Sequence, residues 1–95
     1  MVDESRFRDK RTLSLFQGRH MKGFSSELLL RAQNKLKIVY SAAQIEDLAV
    51  PPGNRLEPLK GERKGYWRIR INDQWRICFA WRNGEAADIE VVDYH

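Results

Sequence analysis

The stretch 66–84, Y-W-R-I-R-I-N-D-Q-W-R-I-C-F-A-W-R-N-G, decides the fold. Its apolar residues recur at every second position, the spacing of a strand that keeps one face against a core. Trp67, Ile69 and Ile71 face one way while Tyr66, Arg68 and Arg70 face the other. After a tight connection at Asn72-Asp73 the alternation resumes. Trp75, Ile77, Phe79 and Trp81 then share one face, and Arg76, Cys78 and Ala80 take the opposite one. Asn83-Gly84 is a type I′ hairpin signal, because that turn needs positive φ at both central residues. The run A-D-I-E-V-V-D-Y-H at 87–95 alternates again, so the second half reads as an antiparallel meander.

Upstream the period is helical. S-R-F-R at 5–8 reads as a short strand, and Asp9 can cap K-R-T-L-S-L-F-Q, where Leu13 and Phe16 recur at helical spacing before Gly18 stops the helix. Ser25 or Ser26 caps a longer helix whose apolar positions Leu28, Leu29, Ala32, Leu36, Val39, Tyr40 and Ala43 form one stripe. Ile45 and Leu48 continue it for a further turn. Pro51 and Pro52 forbid more helix, and Gly53-Asn54 turns the chain. Helices first and a meander afterwards predict an α+β domain, with the N-terminal helices packed on one face of the antiparallel β-sheet.

Ninety-five residues are expected to form one domain, residues 1–95, since the length is too short for two cores. No apolar run approaches the ~18 residues of a membrane span, and the start of the chain lacks the apolar stretch of a secretory signal. Cys78 is the only cysteine and fits a buried apolar role, so a reducing cytoplasm is the expected compartment. The net charge of +4 is unevenly spread. Residues 6–22 carry six cations against one carboxylate, and residues 55–76 seven against three, whereas 77–95 are acidic. Arginine makes up 11 of the 17 cations, which favours phosphate-rich partners over a merely wetted surface.

The outward sheet face gathers Tyr66, Arg68, Arg70 and Arg76. The loop L-E-P-L-K-G-E-R-K-G at 56–65 adds Glu57, Lys60, Arg63 and Lys64. If the last strand pairs with the one holding Arg76, Tyr94 and His95 reach the same end of the sheet. Such a surface suits single-stranded RNA, with phosphates on arginine and bases on aromatic rings. It also holds the parts of a metal-free ribonuclease: a base for the 2′-OH proton, cations for the phosphorus oxygens, and an acid for the departing 5′-oxygen. Each member has a structural alternative. Arg76 could pair with Asp73 or Asp93, Glu57 could neutralise Arg55, Tyr94 could pack on the core, and Gly61 and Gly65 could serve only a turn. Two histidines and one cysteine give no metal-ligand spacing, and K-G-E-R-K-G is not a nucleotide P-loop.

The combination R-L-E-P-L-K-G-E-R-K-G-Y-W-R-I-R-I-N-D-Q-W-R-I-C-F, then W-R-N-G-E and V-V-D-Y-H, resembles the HigB toxin family of the RelE/ParE superfamily. The likeness is close from about residue 51 to 95 and looser over F-R-D-K-R-T-L-S-L-F-Q-G. It implies helices packed on a twisted antiparallel sheet, and a ribosome-dependent endoribonuclease that cuts mRNA without a cofactor. It also implies a helix-turn-helix HigA-like antitoxin, which would link the toxin to operator DNA. By motif, Lys60 and Arg76 match phosphate-binding and transition-state residues, and Tyr94 and His95 match the pair that handles protons. Glu57 departs from relatives with histidine there, so Glu57, Lys60 and His95 all stand as candidates for the base. Arg63, Lys64, Arg68 and Arg70 are expected RNA contacts. Two other activities suit the scaffold, a ParE-like gyrase inhibitor and a plain RNA-binding module.

Overall fold

Two α-helices lie against one face of a four-stranded antiparallel sheet in the computed structural model, which describes residues 1–94. Helix α1 spans Lys10–Phe16 and begins where the Asp9 carboxylate accepts from the Thr12 amide, satisfying one of the free donors of the first turn. Helix α2 spans Ser26–Ser41, and Ser25 supplies the cap by accepting from the Leu28 amide. The buried residues of α2 are Ala32, Leu36 and Val39, the centre of the expected stripe, whereas Ala43 lies beyond the helix and is exposed. Ile45–Ala49 forms a 3-10 turn that buries Leu48.

The sheet runs β1 (Glu57–Pro58), β2 (Tyr66–Arg70), β3 (Trp75–Arg82) and β4 (Glu85–Asp93), each paired with the next. Ile69, Ile71, Ile77, Phe79, Ile89 and Val91 are fully buried in one cluster with Leu15, Leu36 and Val39, and Trp67, Trp75 and Trp81 pack around it. The alternation in 66–81 therefore fixes the core face. Asn83 (φ 54) and Gly84 (φ 78) adopt the positive angles of the expected type I′ turn between β3 and β4.

Three details differ from the sequence reading. Residues 5–8 are no strand: Glu4–Arg6 is a 3-10 turn, and Phe7 makes only an isolated parallel bridge to Ile89. The loop 56–65 contains β1, which places Glu57 opposite Arg68, followed by a 3-10 turn at Gly61–Arg63. The third is in β4, whose alternation breaks. Cys78 pairs with Glu90 but Ala80 pairs with Ala87, so Asp88 and Ile89 together face Phe79. Asp88 is the extra residue of this bulge, at φ 52. The bulge shifts the phase, so that Ala86, Ile89 and Val91 all reach the core.

The free side of β4 is covered by the N-terminal segment. Arg6 Nε donates to the Ala86 carbonyl at 2.8 Å, and the Arg8 amide to the Ile89 carbonyl at 2.8 Å. Arg11 donates to the Val91 carbonyl at 2.7 Å, and the Val91 amide donates to the buried Thr12 hydroxyl at 3.0 Å. Phe7, Phe16 and Tyr40 pack with centroids 4.9–5.8 Å apart, and the Arg6 guanidinium lies 4.0 Å from the Tyr40 centroid. Arg6 and Arg11 thus serve the scaffold, where the charge count suggested a polyanion-facing segment.

On the other side, buried Asn54 ties the 3-10 turn Pro52–Asn54 to its surroundings. Its amide donates to the Leu48 and Val50 carbonyls, each at 3.2 Å, while its side-chain oxygen accepts from Lys35. Burial, with repulsion from Arg31 and Arg70, holds the Lys35 ammonium below its ordinary range.

Candidate active site

Cross-strand register decides what meets on the outward face. Glu57, Arg68, Cys78 and Glu90 form one row across the four strands, and Arg70, Arg76 and Val92 form the next. Directly opposed residues of antiparallel strands project from the same face, so these rows make one surface. Cys78 is its floor. Burial pushes the Cys78 thiol up, Glu90 adds to the effect, and Arg63, Arg68 and Arg76 oppose it. The thiol is a buried apolar group, as expected, but it marks where three guanidinium groups converge.

Past the end of β4, the Tyr94 amide donates to the Gln74 carbonyl at 2.6 Å, and the ring turns back over the face. Arg68 Nη1 donates to the Tyr94 hydroxyl at 2.6 Å, while its Nη2 donates to Glu57 Oε2 at 2.9 Å. The Arg68 and Arg76 guanidinium carbons lie 5.0 and 5.5 Å from the Tyr94 centroid, within cation–π range. The hydrogen bond to Glu57 raises the Arg68 pKa; burial acts against it and Tyr94 adds to it. Arg76 is itself held by one terminal nitrogen, Nη1, which donates to the Asn72 carbonyl and, at 3.2 Å, to the Trp75 carbonyl.

Of the residues expected to form a site, Glu57, Arg68, Arg76 and Tyr94 come together. Glu57 is bound to Arg68 and not to Arg55, and Arg76 anchors on backbone carbonyls. Tyr94 lies on the cationic face and not in the core. Arg63 stacks on Tyr66 at 4.8 Å, and its Nε is buried without a hydrogen-bond partner among the described residues. The Tyr66 hydroxyl is occupied by Asp88 at 2.5 Å. Arg70 forms an ion pair with Asp73, which leaves it less free for phosphate than expected. Lys60 and Lys64 are exposed and bracket the turn Gly61–Arg63. Gly61 (φ 68) and Gly65 (φ 92) adopt angles that glycine favours, and an added Cβ would meet no protein atom within 4 Å at either. The expectation for His95 lies outside the described residues.

Sequence reasoning missed the supports, Asn72, Gln74 and the Glu57–Arg68 pairing. A two-residue strand is too short to leave a periodic signal, and backbone acceptors leave none. Two surface depressions, of about 230 and 300 Å³, are lined by neither Arg68, Arg76 nor Tyr94. Among the described residues, no group of three His, Cys, Asp or Glu side chains could hold a metal ion. Nor, among them, is any helix long and apolar enough to cross a membrane.

Comparison with known proteins gives a consistent picture. A family model described as a RelE-like toxin of the type II toxin–antitoxin system HigB matches residues 5–95. Endoribonuclease HigB of Proteus vulgaris is 34% identical over 93 residues, covering 94% of this chain and 96% of that one. Toxin HigB-1 of Vibrio cholerae is 48% identical over 52 residues, 55% of each chain. An uncharacterised protein of Haemophilus influenzae is 33% identical over 55 residues, 58% of this chain and 54% of the other. The match thus spans about half the length of the last two relatives and nearly all of the first.

Proposed function

Because the chain belongs to the HigB-like family of RelE-like type II toxins, we propose that it is an endoribonuclease that arrests growth by cutting mRNA on the translating ribosome. The observation that carries this reading is the meeting of Arg68, Arg76 and the Tyr94 phenol on one cationic face. A relative matched along nearly its whole length is named an endoribonuclease, which supports the same chemistry.

The reaction is transesterification. The 2′-oxygen attacks phosphorus as a base removes its proton, the P–O5′ bond breaks, and an acid protonates the leaving 5′-oxygen. Arg76 and Lys60 neutralise the charge that builds on the phosphorus oxygens. Tyr94 and His95 handle the two protons, with no metal needed. Arg63, Lys64 and Arg70 are contacts to the RNA backbone. The type II family implies an antitoxin partner. In this reading it is a HigA-like helix-turn-helix protein that carries the complex to operator DNA, and the toxin works in the cytoplasm.

Purified protein added to ribosomes carrying an end-labelled mRNA should cut it and leave a 2′,3′-cyclic phosphate on the upstream fragment. Arg76→Ala and His95→Ala should each lower the rate on the order of a hundredfold or more. Intact mRNA with the wild-type protein, or a DNA-damage response without mRNA loss in arrested cells, would overturn the assignment.

A further inference from the structure

Resting on that reading, we propose that Arg68 is a positioning residue that holds the Tyr94 phenol in its working orientation, with Glu57 as its anchor. Arg68 is then no phosphate contact, and Glu57 is no general base. The guanidinium fork is already divided. One terminal nitrogen donates to the phenol at 2.6 Å and the other to the carboxylate at 2.9 Å. Two of its five N–H groups, one on each terminal nitrogen, are thus held by protein partners, so the plane of the guanidinium is set by Tyr94 and Glu57 and not by RNA.

Tyr94 needs such a hold. It lies beyond the last residue of β4, where its backbone amide donates to the Gln74 carbonyl. Arg76 lies near its ring without bonding its oxygen, so Arg68 fixes where that oxygen sits. The phenol oxygen accepts from Arg68, which leaves its own hydrogen as its outward donor. Arg68 in turn is fixed because β1 places Glu57 directly across from it, on the same face. The chain of support runs from a two-residue strand through a carboxylate and a guanidinium to the phenol.

The experiment is a double-mutant cycle on the ribosome cleavage assay, with folding checked by circular dichroism. Arg68→Ala should lower kcat on the order of tenfold to a hundredfold and leave KM within about twofold, because the orienting group is lost and binding is not. In a Tyr94→Phe background the same change should cost little more, since the group it positions is already absent. Glu57→Gln, which keeps an acceptor oxygen, should leave kcat within about threefold, whereas loss of a true base costs about a hundredfold or more. A raised KM with kcat intact, or losses that multiply in the double variant, would overturn the assignment of Arg68. A collapse of kcat in Glu57→Gln would overturn that of Glu57. A second readout needs no cleavage: the Tyr94 ring signals in NMR should be those of a fixed side chain in the wild type and become motionally averaged in Arg68→Ala. Averaged signals with a wild type that cuts no mRNA would sink the nuclease reading and keep the positioning role. Unchanged ring signals would sink the positioning role itself.

Discussion

Asn54 shows how much a single residue can carry. It is polar and fully buried, and both ends of its side-chain amide are engaged. Asn54→Ala should destabilise the protein by about 2–3 kcal/mol, because two carbonyls and an already desolvated Lys35 lose their partner. Urea unfolding measures it, and a change below about 0.5 kcal/mol would show that water replaces the side chain. Asp73 gives a pH-dependent counterpart. Its carboxylate accepts from Arg70, which holds its pKa below the ordinary 3.8. A folded-state pKa that is lowered adds stability above the unfolded value and loses it as pH falls through the folded one. The stability gap between wild type and Asp73→Asn should therefore be present at neutral pH and close as the solution is acidified below that value. Sequence told these residues apart unevenly. The meeting of Tyr94 with the arginines of the outward face was legible from its place in the alternation. Arg6 and Arg11 looked like phosphate-binding cations, because the carbonyls that consume them lie 80 residues away and leave no mark on composition.

Among the elements, β4 is where pattern reading both succeeds and fails. Its existence follows from Asn83-Gly84 and the alternation after it. Its phase does not, because one added residue moves every later side chain to the other face. The signal was present in the spacing of Ala86, Ile89 and Val91, which are three and then two apart. Asp88 makes the shift by adopting φ 52, and its carboxylate accepts from Tyr66 and lies 3.6 Å from Arg8. Asp88→Asn, which tolerates that angle and keeps an acceptor, should cost under about 1 kcal/mol. Asp88→Val should cost about 2 kcal/mol or more, since a β-branched residue resists positive φ. Equal losses in thermal unfolding would mean that the carboxylate, and not the backbone, fixes the bulge. The bulge also bears on Tyr94, because the residues after it keep their faces only while it is in place.

For the whole molecule, the order of helices before sheet was readable, and with it the α+β class, since two periodicities occupy two halves of the chain. So was the packing of the helices on one face of the sheet, but the bonds that seam residues 6–12 to β4 were not. Hydrophobic period reports on a window of neighbours, whereas the bonds from residues 6–12 to 86–91 depend on a register that no local pattern encodes. Arg6→Ala and Arg11→Ala should each lower stability by about 1–2 kcal/mol, because each leaves a carbonyl of β4 without its partner. Hydrogen exchange at the Val91 amide should speed up in Arg11→Ala more than exchange in β2. Uniform acceleration would show that the segment acts on global unfolding alone.

That seam between distant segments also sets a schedule. A ribosome building this polypeptide releases residues 6–12 about 4–16 seconds before residues 86–91, at ordinary elongation rates. Until then Arg6 and Arg11 lack their β4 carbonyls, and Tyr94 has not been made. A fragment that stops short of residue 94 lacks the phenol that Arg68 and Arg76 meet, so it cannot form that cluster.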